Sequence, residues 1–141
     1  MSLNLELARR IISVALAHGA EHAMKPLAVV VLDAGGHPIA FERADGASPG
    51  RFEIARAKAY GAVMLGLGGF ALAARAETQP SFVAALNGAF DGRIMPVAGG
   101  VLVRDAAGRV IGAVGVTGDT SENDAAAALA GLKAVGLTGE A

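Results

Sequence analysis

The sequence contains no cysteine and no tryptophan, and it has no block of positive charge. The absence of cysteine from its 141 residues excludes disulfides, thiolate metal sites and a cysteine nucleophile. The net charge is -1, so nucleic acid is not an expected partner, because phosphate binding requires a clustered cationic face. Catalytic triads, phosphate-binding loops and dinucleotide-binding fingerprints are absent as well. The sequence alone therefore does not identify an enzyme.

Long hydrophobic runs are also scarce, although 53% of the residues are hydrophobic. The longest uncharged run, Ala59 to Ala74, is shorter than the roughly 20 residues of a spanning helix, so no membrane is expected. Arg9 and Arg10 precede an apolar segment, as in a secretory signal, but Glu6 and the amphipathic spacing argue against export. We expect a cytoplasmic protein. A mean hydropathy of +0.49 is high for a soluble monomer, which predicts a homo-oligomer.

A valine-rich run, Leu27 to Leu32, is typical of a strand buried on both faces. Asp33 to Gly36 predicts a tight reversal, and Pro38 to Arg43 a returning strand. A strand buried on both faces needs a layer above and a layer below, so the flanking segments must supply helices.

Helical periodicity and breaker residues predict the other elements within one domain, residues 1–141. The helices are expected at Leu3–Ala23, at Arg51–Leu65 with Ser48 as a possible N-cap, at Phe70–Glu77, at Pro80–Ala89, and from Ser121 to the residue before Gly136. Two further strands are expected at Val97–Arg104 and Arg109–Thr117.

Lys58 is the odd residue of the second helix, because it projects from the middle of its apolar arc. Such a lysine either extends along the apolar surface to reach solvent or faces a pocket or a carboxylate. We expect its amine to meet Asp33, Asp45 or a main-chain carbonyl at a cavity wall. On that interpretation, methionine at this position would preserve the fold and abolish ligand binding or turnover.

The three histidines are the other candidates for chemistry. His18 and His22 lie four residues apart and share a helix face, but no third ligand for a metal is evident. His37 follows the glycine turn and is either a solvated turn residue or a ligand or general base. Thr117 and Gly118, between the last long strand and the last helix, are candidates to line a small-ligand cleft.

Four segments carry a resemblance to a known family: DAGGHPIAFERADGA, Ala57-Lys58-Ala59, Ala98-Gly99-Gly100 and GAVGVTGDTSENDAAAA. With these segments the chain resembles the GlcG/HbpS family and is similar to the C-terminal domain of PduO-type cobalamin adenosyltransferases. The resemblance implies an α+β fold of three α/β/α layers, with a profilin-like central antiparallel sheet of about five strands. It also implies homo-oligomers and, for some members, haem or a related tetrapyrrole.

Three functions remain open on the sequence. The first is an oligomeric small-ligand-binding domain for haem or another tetrapyrrole. Its axial ligand would be His37, His18 or His22, with Tyr60 and the four methionines as the other candidates. The second is a small enzyme acting on a carboxylated or hydroxylated metabolite, with Lys58, Asp45 and His37 in one pocket. The third is a structural or regulatory oligomer without a ligand.

Overall fold

A computed structural model describes all residues, 1–141, and contains five helices and five strands. In chain order they are α1 (Leu5–Glu21), β1 (Ala28–Asp33), β2 (Pro38–Arg43), α2 (Arg51–Leu65), α3 (Gly69–Thr78), α4 (Pro80–Ala89), β3 (Gly100–Arg104), β4 (Val110–Thr117), α5 (Ser121–Ala134) and β5 (Thr138–Glu140).

The strands form one antiparallel sheet in the order β2-β1-β4-β3-β5. The central pair, β1 and β4, aligns Ala28 with Thr117 and Asp33 with Gly112. The start of β1 and the end of β4 therefore lie at one end of the sheet. We call it the histidine end, because α1, which carries His18 and His22 at its C-terminal end, leads into β1 there. The turn after β1 and the start of β4 lie at the opposite end.

Alternate residues of β1 enter two separate cores, as the pleat of a strand requires. Val29 and Val31 pack with α1 and α5 on one face of the sheet. Val30 and Leu32 pack with α2, α3 and α4 on the other. The fold class expected from the sequence, an antiparallel sheet between two helical layers, is confirmed.

Two details differ from the predicted elements. The short edge strand β5 was not predicted, because Thr138–Glu140 has no apolar alternation and pairs with β3 through its backbone. The strand expected from Val97 begins only at Gly100. No single helix is long and apolar enough to cross a membrane; α2 and α3 meet that criterion only together, across an 80° bend.

Two helices pack against their neighbours at glycine. A Cβ on Gly115 of β4 would lie 2.0 Å from the Ala55 carbonyl oxygen, so the backbone of α2 rests on the sheet. A Cβ on Gly131 of α5 would lie 2.6 Å from the Ile11 carbonyl oxygen of α1. Both contacts involve backbone atoms, which move less readily than side chains.

Alanine substitution at two helical glycines is expected to have opposite effects on stability. Gly131→Ala forces α1 and α5 apart and should lower the free energy of unfolding by about 1–3 kcal/mol. Gly88→Ala, in α4 with nothing within 4 Å of the added Cβ, should raise it by about 0.5–1 kcal/mol. Urea denaturation of the two variants measures both. If both variants changed the free energy of unfolding by the same amount and in the same direction, the close packing of α1 on α5 would be contradicted.

Candidate functional site

Lys58 forms a buried ion pair with Asp124 at the histidine end of the sheet. Its Nζ donates to Asp124 Oδ2 at 3.0 Å and to the Val116 carbonyl oxygen at 3.0 Å. The two side chains are 5% and 1% exposed. The main-chain carbonyl was expected from the sequence, but the carboxylate was not: Asp124 takes the place predicted for Asp33 or Asp45.

A pair of glycines makes the path of Lys58 possible. A Cβ on Gly99 would lie 2.9 Å from Lys58 Nζ, and one on Gly100 would lie 2.2 Å from the Lys58 carbonyl oxygen. Any side chain at either position would displace the lysine or its helix. The ammonium therefore passes from α2 across the start of β3 and reaches the first turn of α5.

Asp124 in turn fixes the segment between β4 and α5. Its second oxygen, Oδ1, accepts a hydrogen bond from the Asp119 backbone N–H at 2.9 Å. Asp119 accepts from the Asn123 side-chain amide at 2.7 Å and from the Lys25 backbone N–H at 2.9 Å. These bonds, with the Asn123 bond the strongest, lower the pKa of Asp119 to about 2. The chain of contacts runs from Lys58 to Lys25.

A polar cavity of about 210 Å³ opens beside this network. Its lining includes Lys25, Gly46, Ser48, Arg51 and Gly118. Arg51 is held in place, since its Nε donates to Ser48 Oγ at 3.0 Å and its Nη1 donates to Thr117 Oγ1 at 2.9 Å. Ser48 thus binds a side chain and is not the N-cap of α2, a position taken by Gly50.

Sequence reasoning missed Arg51 and Asp124, although each leaves a signal. Arg51 is a cation in the first turn of a helix, where the helix dipole favours acidic residues. Asp124 lies in the first turn of α5, where an acidic residue is ordinary, and Thr120 caps the helix. Asp124 lies four residues before Ala128 on the buried face of α5, so it interrupts an apolar arc as Lys58 does.

The second cluster at this end is the histidine pair, His18 and His22, at the C-terminal end of α1. Their rings stack with centroids 4.0 Å apart. His22 Nδ1 lies 2.8 Å from the His18 carbonyl oxygen. Since a carbonyl only accepts, His22 Nδ1 is the donor in this contact, and Nε2 makes no hydrogen bond within the chain. Partial burial, followed by the neighbouring His22, lowers the pKa of His18, which favours a neutral imidazole.

The larger cavity, about 380 Å³, lies at the opposite end of the sheet. Its charged residues are already engaged. Asp33 Oδ1 accepts the backbone N–H groups of Gly35 and His37, and Arg109 pairs with Asp105 at 2.9 Å. This cavity therefore presents no charged group without a partner.

Comparison with known protein families gives one match that covers nearly the whole chain. Residues 3–133 match the family of haem-degrading HbpS-like proteins. The chain belongs to the HbpS-like family. The resemblance drawn from the sequence motifs is thereby confirmed. A comparison with curated protein sequences found no match.

Solved structures agree with the HbpS-like assignment. A double variant of HbpS from Streptomyces reticuli has 28% identity and a TM-score of 0.83, over 96% of this chain and 88% of that one. Protein ORFY from Klebsiella pneumoniae has 28% identity and a TM-score of 0.81, over 93% and 88%. A haem complex of PduOC has 22% identity and a TM-score of 0.87 over 100% of both chains, a likeness of fold.

The three residues predicted to share an enzymatic pocket do not meet in this HbpS-like chain. His37 precedes β2 and Asp45 follows it, so about six residues of extended strand, roughly 20 Å, separate them. Both residues are exposed, whereas Lys58 is buried against Asp124. The structure instead places Gly118 in the cavity wall and Thr117 against Arg51.

Removing the lysine of the buried pair is expected to destabilise the protein, because it leaves Asp124 charged and unpaired. Lys58→Met should lower the free energy of unfolding by about 3–5 kcal/mol, contrary to the expectation that the fold is preserved. Adding Asp124→Asn should restore part of the loss, since the asparagine remains an acceptor for Asp119. Lys133→Met, at an exposed lysine of α5, is the control. A loss below about 1 kcal/mol in urea denaturation would contradict a structural role.

The lowered pKa of Asp119 predicts a pH dependence of stability. Because the folded value, about 2, lies below the ordinary 3.8, this carboxylate stabilises the fold above pH 3.8, and the contribution is lost as pH falls toward 2. Asp119→Asn should flatten the pH dependence of unfolding in that range. Asp105, whose pKa is also lowered, chiefly by the Arg109 backbone N–H, is intact in both proteins. If the free energy of unfolding depended on pH in the same way in wild type and variant, the stabilising role of the Asp119 carboxylate would be contradicted.

Proposed function

We propose that this protein binds haem through the histidine pair, at a contact between two subunits. The observation that carries the proposal is the hydrogen bond from His22 Nδ1 to the His18 carbonyl, which leaves Nε2 of His22 free. A neutral imidazole with one ring nitrogen fixed by a backbone carbonyl is the usual form of a haem-iron ligand. The HbpS-like family, described as haem degrading, supports the choice of ligand.

His18 and His22 fit a haem that one chain would bind on one face only. When bound, haem supplies an iron centre that takes an imidazole nitrogen. His18 is half-buried and His22 exposed, so the pair faces outward from the end of α1. Neither cavity contains a histidine in its lining, so no pocket of the single chain encloses a haem held by these rings. A second copy of the chain would cover the other face of the porphyrin, consistent with the expected homo-oligomer.

His37 is the competing axial ligand considered on the sequence. Its backbone N–H is bound to Asp33, and its ring makes no hydrogen bond that would fix a tautomer. It lies before β2, away from the histidine end of the sheet. His37→Ala is therefore a suitable control for substitutions of His18 and His22.

Titration of the apoprotein with ferric haem tests the proposal. We expect a saturable Soret band with a defined number of haems per subunit, and a mass above that of one chain by light scattering. His18→Ala and His22→Ala should each shift the band or weaken binding, because the stacked rings support one another. His37→Ala should leave the Soret band and the haem affinity unchanged.

Four results would contradict this function. Binding that does not saturate and is unchanged in all three variants would indicate adsorption to apolar surface. A Soret band altered only by His37→Ala would move the ligand to the other end of the sheet. A monomer mass with haem bound would exclude the contact between subunits. An oligomer that takes up no haem would favour the structural or regulatory alternative.

A further inference from the structure

Arg51 differs from the other half-buried arginines of the chain in the groups that its guanidinium contacts. Arg104 pairs with the Glu140 carboxylate at 3.0 Å. Arg56, Arg75 and Arg93 stack on the rings of Phe52, Phe82 and Tyr60 respectively. Arg51 alone among them has neither a carboxylate nor a ring, and neutral hydroxyls of Ser48 and Thr117 position it. A partly desolvated guanidinium without a counter-charge is an unfavourable arrangement for a purely structural residue.

From this arrangement we propose that the cavity around Arg51 binds a carboxylate group. Ser48 takes the Nε–H group and Thr117 takes one N–H of Nη1, so one N–H on Nη1 and both on Nη2 have no partner in the protein. These form the planar fork that matches a carboxylate. Thr117, which orients the fork, is 1% exposed and thus a fixed part of the wall.

The rest of the wall suits a small anion. Lys25 adds a second cation that forms no ion pair, and Gly46 and Gly118 leave the backbone accessible. The cavity lies at the N-terminus of α2, where no side chain caps the helix and the dipole favours negative charge. A volume of about 210 Å³ admits a carboxylate with a short chain.

The charges around the cavity favour a singly charged ligand over a phosphate dianion. Arg51 and Lys25 contribute two positive charges. Asp119 is bound to the Lys25 backbone N–H and carries a negative charge beside it, and Asp45 directly precedes the lining residue Gly46 in the chain. These carboxylates offset part of the cationic charge, which is appropriate for one carboxylate group.

Two sources of such a carboxylate are chemically equivalent at this site. One is a free short-chain organic acid. The other is a propionate of a haem bound at the histidine pair, because Lys25 follows His22 by three residues and their Cα atoms lie within about 11 Å. The carboxylate site itself does not depend on the proposed haem binding.

The experiment compares wild type with Arg51→Gln, which removes the charge, and Arg51→Lys, which keeps the charge and removes the fork. Arg43→Gln, at an exposed arginine of β2 outside the cavity, is the control. Acetate and inorganic phosphate are titrated into the ¹⁵N-labelled apoproteins while the Gly46 and Gly118 amides are observed by NMR. Haem and haem dimethyl ester, which lacks free carboxylates, are titrated in parallel.

We expect acetate to shift both amides saturably in wild type and the control, with binding about tenfold weaker in Arg51→Gln and intermediate in Arg51→Lys. A tenfold loss of haem affinity in Arg51→Gln that disappears with the dimethyl ester would identify the propionate as the source. Haem affinity that is unchanged while acetate binding is lost would identify a free acid. Either result supports the site.

The inference is overturned if phosphate binds more tightly than acetate, or if neither acetate nor haem responds to Arg51→Gln in a folded variant. Wild-type protein that binds acetate through Arg51 but takes up no haem would contradict the proposed function alone. The two failures are therefore distinguishable.

Discussion

The structure depends most on one buried contact, between the Lys58 ammonium and the Asp124 carboxylate. It joins a helix of one layer to a helix of the other, past the start of β3, where glycine leaves room for the lysine stem. Burying two charges is costly, and it is tolerated here because the ammonium also donates to the Val116 carbonyl and the carboxylate also accepts from the Asp119 backbone N–H. The pair's main effect is positional: through Asp124 it holds the loop before α5 against the segment that follows α1.

That loop lies next to the polar groups that have hydrogen-bonding or charged atoms without a partner in the protein. At the histidine end of the sheet lie a stacked imidazole pair, an arginine without a counter-charge and an exposed lysine. At the opposite end, the charges of Asp33, Asp105 and Arg109 satisfy one another or the turns that carry them. The charged groups of the larger cavity thus all have partners within the protein, whereas Arg51 and Lys25 in the smaller cavity have no counter-charge paired with them. This difference, more than cavity volume, locates the candidate site.

Local features of the chain were predictable from the sequence, and contacts across it were not. Periodicity placed Lys58 in the middle of an apolar arc, and four-residue spacing put His18 and His22 on one helix face. The partner of Lys58, however, lies 66 residues away in sequence, as does the Thr117 partner of Arg51. Both contacts follow from placing β4 beside β1, which no local pattern specifies. The family resemblance implied the layers but not which charged groups meet at the end of the sheet.

The most direct test of the account maps the ligand onto the protein. Zinc protoporphyrin IX, a diamagnetic analogue of haem, can be titrated into ¹⁵N-labelled protein and the amide shifts assigned. The account predicts that the largest changes fall at His18, His22, Lys25 and Gly118, at one end of the sheet. Changes confined to the opposite end, around Ser2 to Leu3 and Asp33 to Gly35, would contradict it.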